Sequence, residues 1–339
     1  VTPTALRGTL VVPALAVALV AVVVAGVTLA GGSITWTETV RSIGTHLGVP
    51  LTPLPPLADS VVWQLRLPRV LLAAAAGAGL AVCGCVLQAV TRNVLAEPYL
   101  LGISSGASTG AVLVLVLGLG AGSVTLAGGA LVGGLVSFAL VFALMGRDTA
   151  STSRVVLTGV VVGQLFSAVT SLVVTAWGDA DATRGITYWL LGSLAAARWS
   201  SVVVCAVVVA LATVVFVAVA PALDAFVFGH DAAVALGIDV RLLRIVVLVG
   251  AAATTAAVVA AVGAIGFVGL VVPHAARMLV GPGHRLLLPV SALAGAVFLV
   301  VADLAGRLAL APHQIPVGVV TALIGVPTFL VVLRRGQRA

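Results

Sequence analysis

The chain is a succession of apolar blocks, each about as long as a bilayer is thick, with short polar joints between them. A spanning helix needs about 20 predominantly apolar residues. Blocks of that kind lie near residues 10–30, 66–90, 100–120, 124–145, 155–177, 200–220, 243–261, 265–280, 286–304 and 316–333. They leave no room for a soluble domain. Of the 339 residues 61% are hydrophobic and only 8% charged, against about 25% in a soluble domain, so these charges cannot cover a globular surface. The expected fold is a single all-α membrane domain over residues 1–339 with about ten transmembrane helices. The first block is long and lacks a small-residue cleavage pattern, which predicts an anchor rather than a cleaved signal. The block at 265–280 is short and contains Pro273, which predicts a tilted, broken or protein-buried helix. The longest polar stretch, 31–62, holds Glu38, Arg41, Asp59 and Pro50, Pro53, Pro55 and Pro56. It reads as an extracytoplasmic loop.

Charge narrows the function. All 17 basic residues are arginine. Without lysine there is no Walker A loop and no Schiff-base catalyst. The arginines stand singly between apolar blocks, so the net charge of +7 reflects membrane topology and not nucleic-acid binding. With about ten spans both termini share one side. That side holds 11 arginines and the other 6, which predicts cytoplasmic termini by the positive-inside rule.

Few constellations suggest chemistry. Gly102-Ile103-Ser104-Ser105-Gly106 matches the nucleophile-elbow spacing, but that motif needs a strand, a turn and a helix, and here it opens an apolar helix. Gly102, Gly106 and Gly110 instead form a small-residue ridge, and Gly129 with Gly133 a second, both suited to close helix packing. Cys83 and Cys85 point about 200° apart on a helix and share neither a metal nor a disulfide. Cys83, Cys85 and Cys205 read as packing residues. His46, His230, His274, His284 and His313 form no metal-ligand spacing. Asp303 is the carboxylate nearest mid-membrane, and an i,i+4 pair with Arg307 is its simplest role. A proton- or sodium-coupled carrier keeps ionisable groups at mid-bilayer, and their scarcity here argues against secondary transport.

Two features exceed what anchoring needs. Arg66, Arg69 and Arg307 lie at outer helix ends, where three fixed positive charges suit an acidic docking partner. Residues 221–241 are too polar to span. They read as two short amphipathic helices broken at Gly229 and ending near Gly237, with Leu223, Phe226, Phe228 and Leu236 needing a cover from lipid, the chain itself or a cytosolic protein.

From Arg66 onward the ordered motifs resemble the FecCD family of ABC-importer permeases, which includes vitamin B12 and ferric-siderophore permeases. Arg66-Leu67-Pro68-Arg69 is similar to the family's R-L-P-R opening. Gln88, then Arg92-Asn93-Val94-Leu95-Ala96-Glu97-Pro98, resembles its Q…R-N-P-L-A-E/D-P loop. Leu101-Gly102-Ile103-Ser104-Ser105-Gly106-Ala107, the Trp189-Leu190-Leu191-Gly192 run, the stretch from Gly266 through Pro273 and His274 to Arg277, and the closing Pro316-Val317-Gly318 also resemble family motifs.

The resemblance implies a type II importer permease that moves ferric siderophores by alternating access, with cobalamin or haem as alternatives. It implies a second permease subunit, identical or paralogous, two cytosolic ATPases that carry ATP and Mg, and an extracytoplasmic binding protein, in the cytoplasmic membrane of a bacterium. It implies no catalytic, metal or cofactor residue in this chain. Binding-protein docking falls on Arg66, Arg69 and Arg307. The cytoplasmic gate falls on Asn93, Leu95, Thr152 and Ser153. ATPase coupling falls on Leu223, Phe226, Gly229, His230, Asp231, Ala235, Leu236 and Gly237. The chain departs from the pattern in two places. Val94 replaces a proline, which removes a constraint on that turn. Gln314 stands where an acid commonly precedes the closing motif.

Overall fold

The computed structural model describes residues 3–29, 34–118, 125–145, 152–311 and 313–336, without the side chains of 3–9, 152, 153, 181, 182, 230 and 331–336. Among these, seven helices are long and apolar enough to cross a bilayer, and three shorter apolar helices accompany them. In chain order α1 is Pro3–Thr28, α2 Trp36–His46 and α3 Pro56–Ser60, which runs through a π-helical segment, Val61–Arg66, into α4, Leu67–Thr91. Then come α5 Ile103–Leu117, α6 Leu126–Met145, α7 Thr152–Trp177, α8 Ala180–Leu190, α9 Trp199–Ala218, α10 Ala220–Val227, α11 His230–Ala235, α12 Val240–Val262, α13 Val268–Val280, α14 His284–Leu308 and α15 Val317–Gly336. The ten apolar blocks correspond to α1, α4, α5, α6, α7, α9, α12, α13, α14 and α15. Helices are the expected solution, because a bilayer offers no water to the backbone N–H and C=O groups.

Besides the short α3 and the α10–α11 pair, two helices among the described residues lie outside those blocks, α2 and α8. Residues 31–62 are not a plain loop. Thr35 and Glu38 form a capping box that starts α2: Glu38 N–H donates to Thr35 Oγ1 (3.3 Å) and Thr35 N–H to Glu38 Oε2 (2.7 Å). The T-x-x-E spacing is the signal for it. These bonds from Thr35 hold the Glu38 carboxyl below its ordinary value. The second is α8, whose polar face keeps it from reading as a span. The second span also begins earlier than the sequence suggests, at Pro56, because the π-helical segment Val61–Arg66 joins α3 to α4 without a break.

Close packing rests on glycine. The α4 helix is the hub and is buried along most of its length. A Cβ on Gly77 would overlap the Gly295 carbonyl of α14, and one on Gly84 would overlap Gly269 of α13. The two ridges read from the sequence pack against each other. Gly110 meets Gly129, and Gly106 meets Gly133, so α5 and α6 touch backbone to backbone. Ser137 Oγ of α6 donates to Gly102 O at the start of α5 (2.8 Å). The Gly102–Gly106 motif is therefore a helix-packing start, with Ser104 inside the helix. Cys83, Cys85 and Cys205 are free and buried.

Candidate functional site

The residues singled out above gather at the two ends of the bundle. At one end, α4 begins and α14 finishes. Asp303 of α14 is 2% exposed and is shared by two arginines. Arg69 Nε donates to both of its oxygens (3.1 and 3.2 Å), and Arg69 Nη2 donates to Oδ1 (2.8 Å). Arg307 Nε lies 3.0 Å from Oδ2, an ion pair without hydrogen-bond alignment, and Arg307 Nη2 has no hydrogen-bond partner among the described residues. The i,i+4 pair is present, but the stronger partner of Asp303 is Arg69, 234 residues away.

Arg66 behaves differently. The π-helical segment turns it inward, and its Nη1 donates to Val27 O (2.8 Å) and Thr28 O (3.4 Å). It thus serves the last carbonyls of α1, which have no intrahelical donor and carry the negative end of the helix dipole.

The three arginines expected to meet an acidic partner are also engaged within the chain: Arg66 is 9% exposed and Arg307 8%. The physical reason is that Asp303 and the end of α1 would otherwise be buried without donors. Even so, Arg66, Arg69 and Arg307 share one cavity of about 350 Å³ with Val61, Leu65 and Gln314. Three arginines line it and, among the described residues, no carboxylate does, which gives the cavity its positive character. Gln314 Oε1 accepts from Arg69 Nη1 (2.8 Å), so this departure from the family pattern leaves an acceptor but removes a charge.

The opposite end holds the 92–102 loop and the α10–α11 elbow. Arg92 ends α4 in the left-handed conformation. Asn93 Oδ1 accepts the Leu95 N–H (2.9 Å), and Ala96 N–H donates to Asn93 O (3.0 Å). The turn is thus closed by Asn93 itself, without a proline at 94. Val94 and Leu95 are exposed. Behind them the motif residues are structural. Gln88 Nε2 donates to Gly269 O (3.2 Å), and Arg277 Nη2 donates to Gln88 Oε1 (3.2 Å), which ties α4 to α13. Glu97 is half-buried, its carboxylate directed to the Phe267 backbone at the start of α13. Pro98 packs on Gly269. Tyr99 Oη donates to Ile265 O and accepts from Ile265 N–H, both at 2.6 Å. Pro273 lies buried inside α13, with His274 half-buried beside it. Thr152 and Ser153 open α7, but their side chains lie outside the described residues.

The elbow has the two-helix form read from the sequence, broken at Gly229 with φ of 113°. Its apolar residues divide in two. Leu223 (0% exposed) and Phe226 (1%) are buried in the chain's own core. The Arg244 and Arg92 guanidinium groups lie 5.1 and 6.0 Å from the Phe226 ring centroid. The chain itself therefore covers these two, one of the three covers the sequence leaves open. Phe228 (81%) and Leu236 (70%) remain exposed, with Val227 and Val234 beside them. Sequence reasoning missed Val227 and Val234 because which helix face turns outward is set by the packing of α10 on α4 and α14. Asp231 and Ala235 are exposed on α11, Gly237 closes it with φ of 79°, and the His230 side chain lies outside the described residues.

Residues 15–335 match the FecCD transport family. The chain belongs to that family. This FecCD permease is 40% identical over 285 residues to the cobalamin import system permease protein BtuC of Halobacterium salinarum, covering 83% of this chain and 75% of that one. It is 33% identical over 295 residues to the iron-uptake system permease protein FeuC of Bacillus subtilis, covering 84% and 88%. A solved inward-facing metal-chelate type ABC transporter matches with a TM-score of 0.82 and 31% identity, over 96% of this chain and 98% of that one. The FecCD permease is a multi-pass membrane subunit of an ABC importer. It works with an ATPase and a binding protein and is not itself an enzyme.

Proposed function

We propose that this permease imports a large metal chelate across the cytoplasmic membrane, with cobalamin as the first candidate and a ferric siderophore as the second. The observation that carries the importer reading is the separation of two unlike ends: a positively charged cavity at one, an apolar elbow at the other. The similarity to a permease named for cobalamin exceeds that to one named for iron uptake, 40% against 33%, which favours a corrinoid. In this reading the arginine end faces outward and the termini are cytoplasmic. A binding protein presents acidic side chains to the cavity of Arg66, Arg69 and Arg307, and rim charges of this kind steer association. The ATPase takes the exposed Phe228, Leu236, Val227 and Val234.

The path itself would lie against a second permease subunit. Gln164, Ser167, Ser171 and Thr175 are exposed along α7 inside a span, as are Leu323 and Val326 on α15. Polar side chains within a membrane face a protein neighbour or a water-filled space, not lipid. An apolar cavity of about 530 Å³ between the end of α8 and α15, lined by Leu190, Leu191, Ala264, Val319 and Leu323, opens beside α15. Weak apolar contacts there suit a cargo that must be released. The gate would lie at Asn93, Leu95, Thr152 and Ser153. In alternating access, closure of the ATPases moves the elbow and reorients these segments.

The test is uptake by cells with and without this chain, using labelled cyanocobalamin and an iron-labelled hydroxamate siderophore in parallel. Loss of cobalamin uptake alone supports the first substrate, and loss of iron uptake alone supports the second. Loss of neither refutes both substrates.

A further inference from the structure

A polar joint fastens the elbow to the bundle. Asp224 of α10 reaches the start of α14, where its Oδ1 accepts the His284 backbone N–H (2.9 Å) and lies 2.6 Å from His284 Nδ1. The N-cap position of α14 is Gly283, which has no side chain to cap the helix. The cap is supplied from another helix, 60 residues earlier in the chain. The imidazole is 3% exposed, and among the described residues its Nε2 has no hydrogen-bond partner, so Asp224 is the contact that holds the ring there. Leu223 and Phe226 flank Asp224 and are fully buried, which fixes α10 against the same surface.

The helix that receives this joint is unusual in its reach. The α14 helix runs for 25 residues from His284 to Leu308, with Pro289 inside it one turn beyond the joint, about 37 Å at 1.5 Å per residue. Its far end carries Asp303 and Arg307, the centre of the arginine cluster. Midway, Gly295 locks it backbone to backbone on Gly77 of α4, whose own first turn supplies Arg69. Pro289 removes one backbone hydrogen bond near the joint, and beyond it the helix, held by backbone contact at Gly295, carries displacement along its axis. One helix therefore joins the exposed elbow to the charged cavity.

We propose that Asp224 and His284 form the joint that carries elbow motion into α14 and on to the arginine end. They are positioning residues, and the role rests on the importer reading above. Asparagine caps a helix as well as aspartate does, whereas alanine does not. Asp224→Asn should therefore keep the joint and Asp224→Ala should break it.

The test uses the whole transporter, purified from its own cells through a tag on this chain and placed in lipid nanodiscs. ATP hydrolysis is measured with and without the cells' binding protein, and uptake is measured in the cells with labelled cyanocobalamin and iron-labelled siderophore. For Asp224→Ala we expect the ATPase to remain bound and unstimulated hydrolysis to be unchanged. Stimulation by the binding protein and uptake should fall roughly tenfold, the shift that loss of one helix cap produces. Asp224→Asn should stay within about twofold of wild type on the same capping scale. Wild-type stimulation in Asp224→Ala overturns the joint. Loss of the ATPase from the Asp224→Ala complex also overturns it, because the pair would then serve docking and not transmission. If Asp224→Ala does not fold, His284→Ala keeps the capped backbone N–H and deletes only the imidazole bond. Reduced stimulation in that variant supports the joint, and unchanged stimulation overturns it. A wild-type complex that the binding protein does not stimulate refutes the importer reading itself.

Discussion

Asp303 is the residue on which the charged end depends, and replacing it with alanine is the sharpest test of that geometry. Asp303→Ala deletes the single carboxylate between Arg69 and Arg307, whose side chains are 14% and 5% exposed. Removing one member of a buried ion pair costs about 3–5 kcal/mol, because the remaining charges lose their compensation. At roughly 2 °C per kcal/mol for a chain of this length, the melting temperature should fall by about 6–10 °C. The protein carries its own reporter: Cys83, Cys85 and Cys205 are buried and free, so a thiol-reactive dye labels them only as the bundle opens. The charged pair is also expected to contribute little beyond a well-packed apolar one. The triple variant Arg69→Met, Asp303→Leu, Arg307→Met should therefore recover most of the lost stability while losing binding-protein docking. A melting temperature for Asp303→Ala within about 2 °C of wild type would refute the argument that Asp303 compensates two buried charges. So would a triple variant no more stable than the single one.

Three further outcomes are expected. Gly77→Val places side-chain atoms into the Gly295 carbonyl. The backbone cannot yield there, so the cost should reach about 3 kcal/mol, the top of the overpacking range, read as loss of folded protein in the same dye assay. Phe228→Asp with Leu236→Asp changes only exposed side chains. The melting temperature should hold within about 1 °C, while the ATPase no longer co-purifies. The capping box of α2 should be acid-sensitive in one direction. The Glu38 carboxyl is held below its ordinary value by Thr35. Its contribution is therefore complete above the unfolded value, near pH ~4.3, and is lost as pH falls through the lower folded value. Protection factors of α2 amides, exchange rates referred to the intrinsic rate at each pH, should fall at acid pH in wild type and show no such fall in Glu38→Gln.

The sites divide by how their partners are reached. Thr35 and Glu38 are three residues apart, and Asp303 and Arg307 four apart, so their pairing follows from helix geometry alone. The glycine ridges on α5 and α6 could be read as packing faces, though not that they pack on each other. Arg69 and Asp303 are separated by 234 residues and Asp224 and His284 by 60. No local spacing announces either pair. The inward turn of Arg66 depends on a π-helical segment that its sequence does not signal. The elbow shows the same limit, since Leu223 and Phe228 are both apolar residues on short helices, yet one is buried and the other 81% exposed.

By itself the sequence determined the membrane class, the ten apolar helices, the elbow broken at Gly229 and, through its motifs, the family. These are consequences of local rules: bilayer thickness sets block length, and glycine sets where the chain breaks. Only the tertiary structure decided which charges are free and which are spent. That outcome depends on the register between α4 and α14 at the Gly77–Gly295 contact. Register is a property of packed surfaces, and no segment carries it alone.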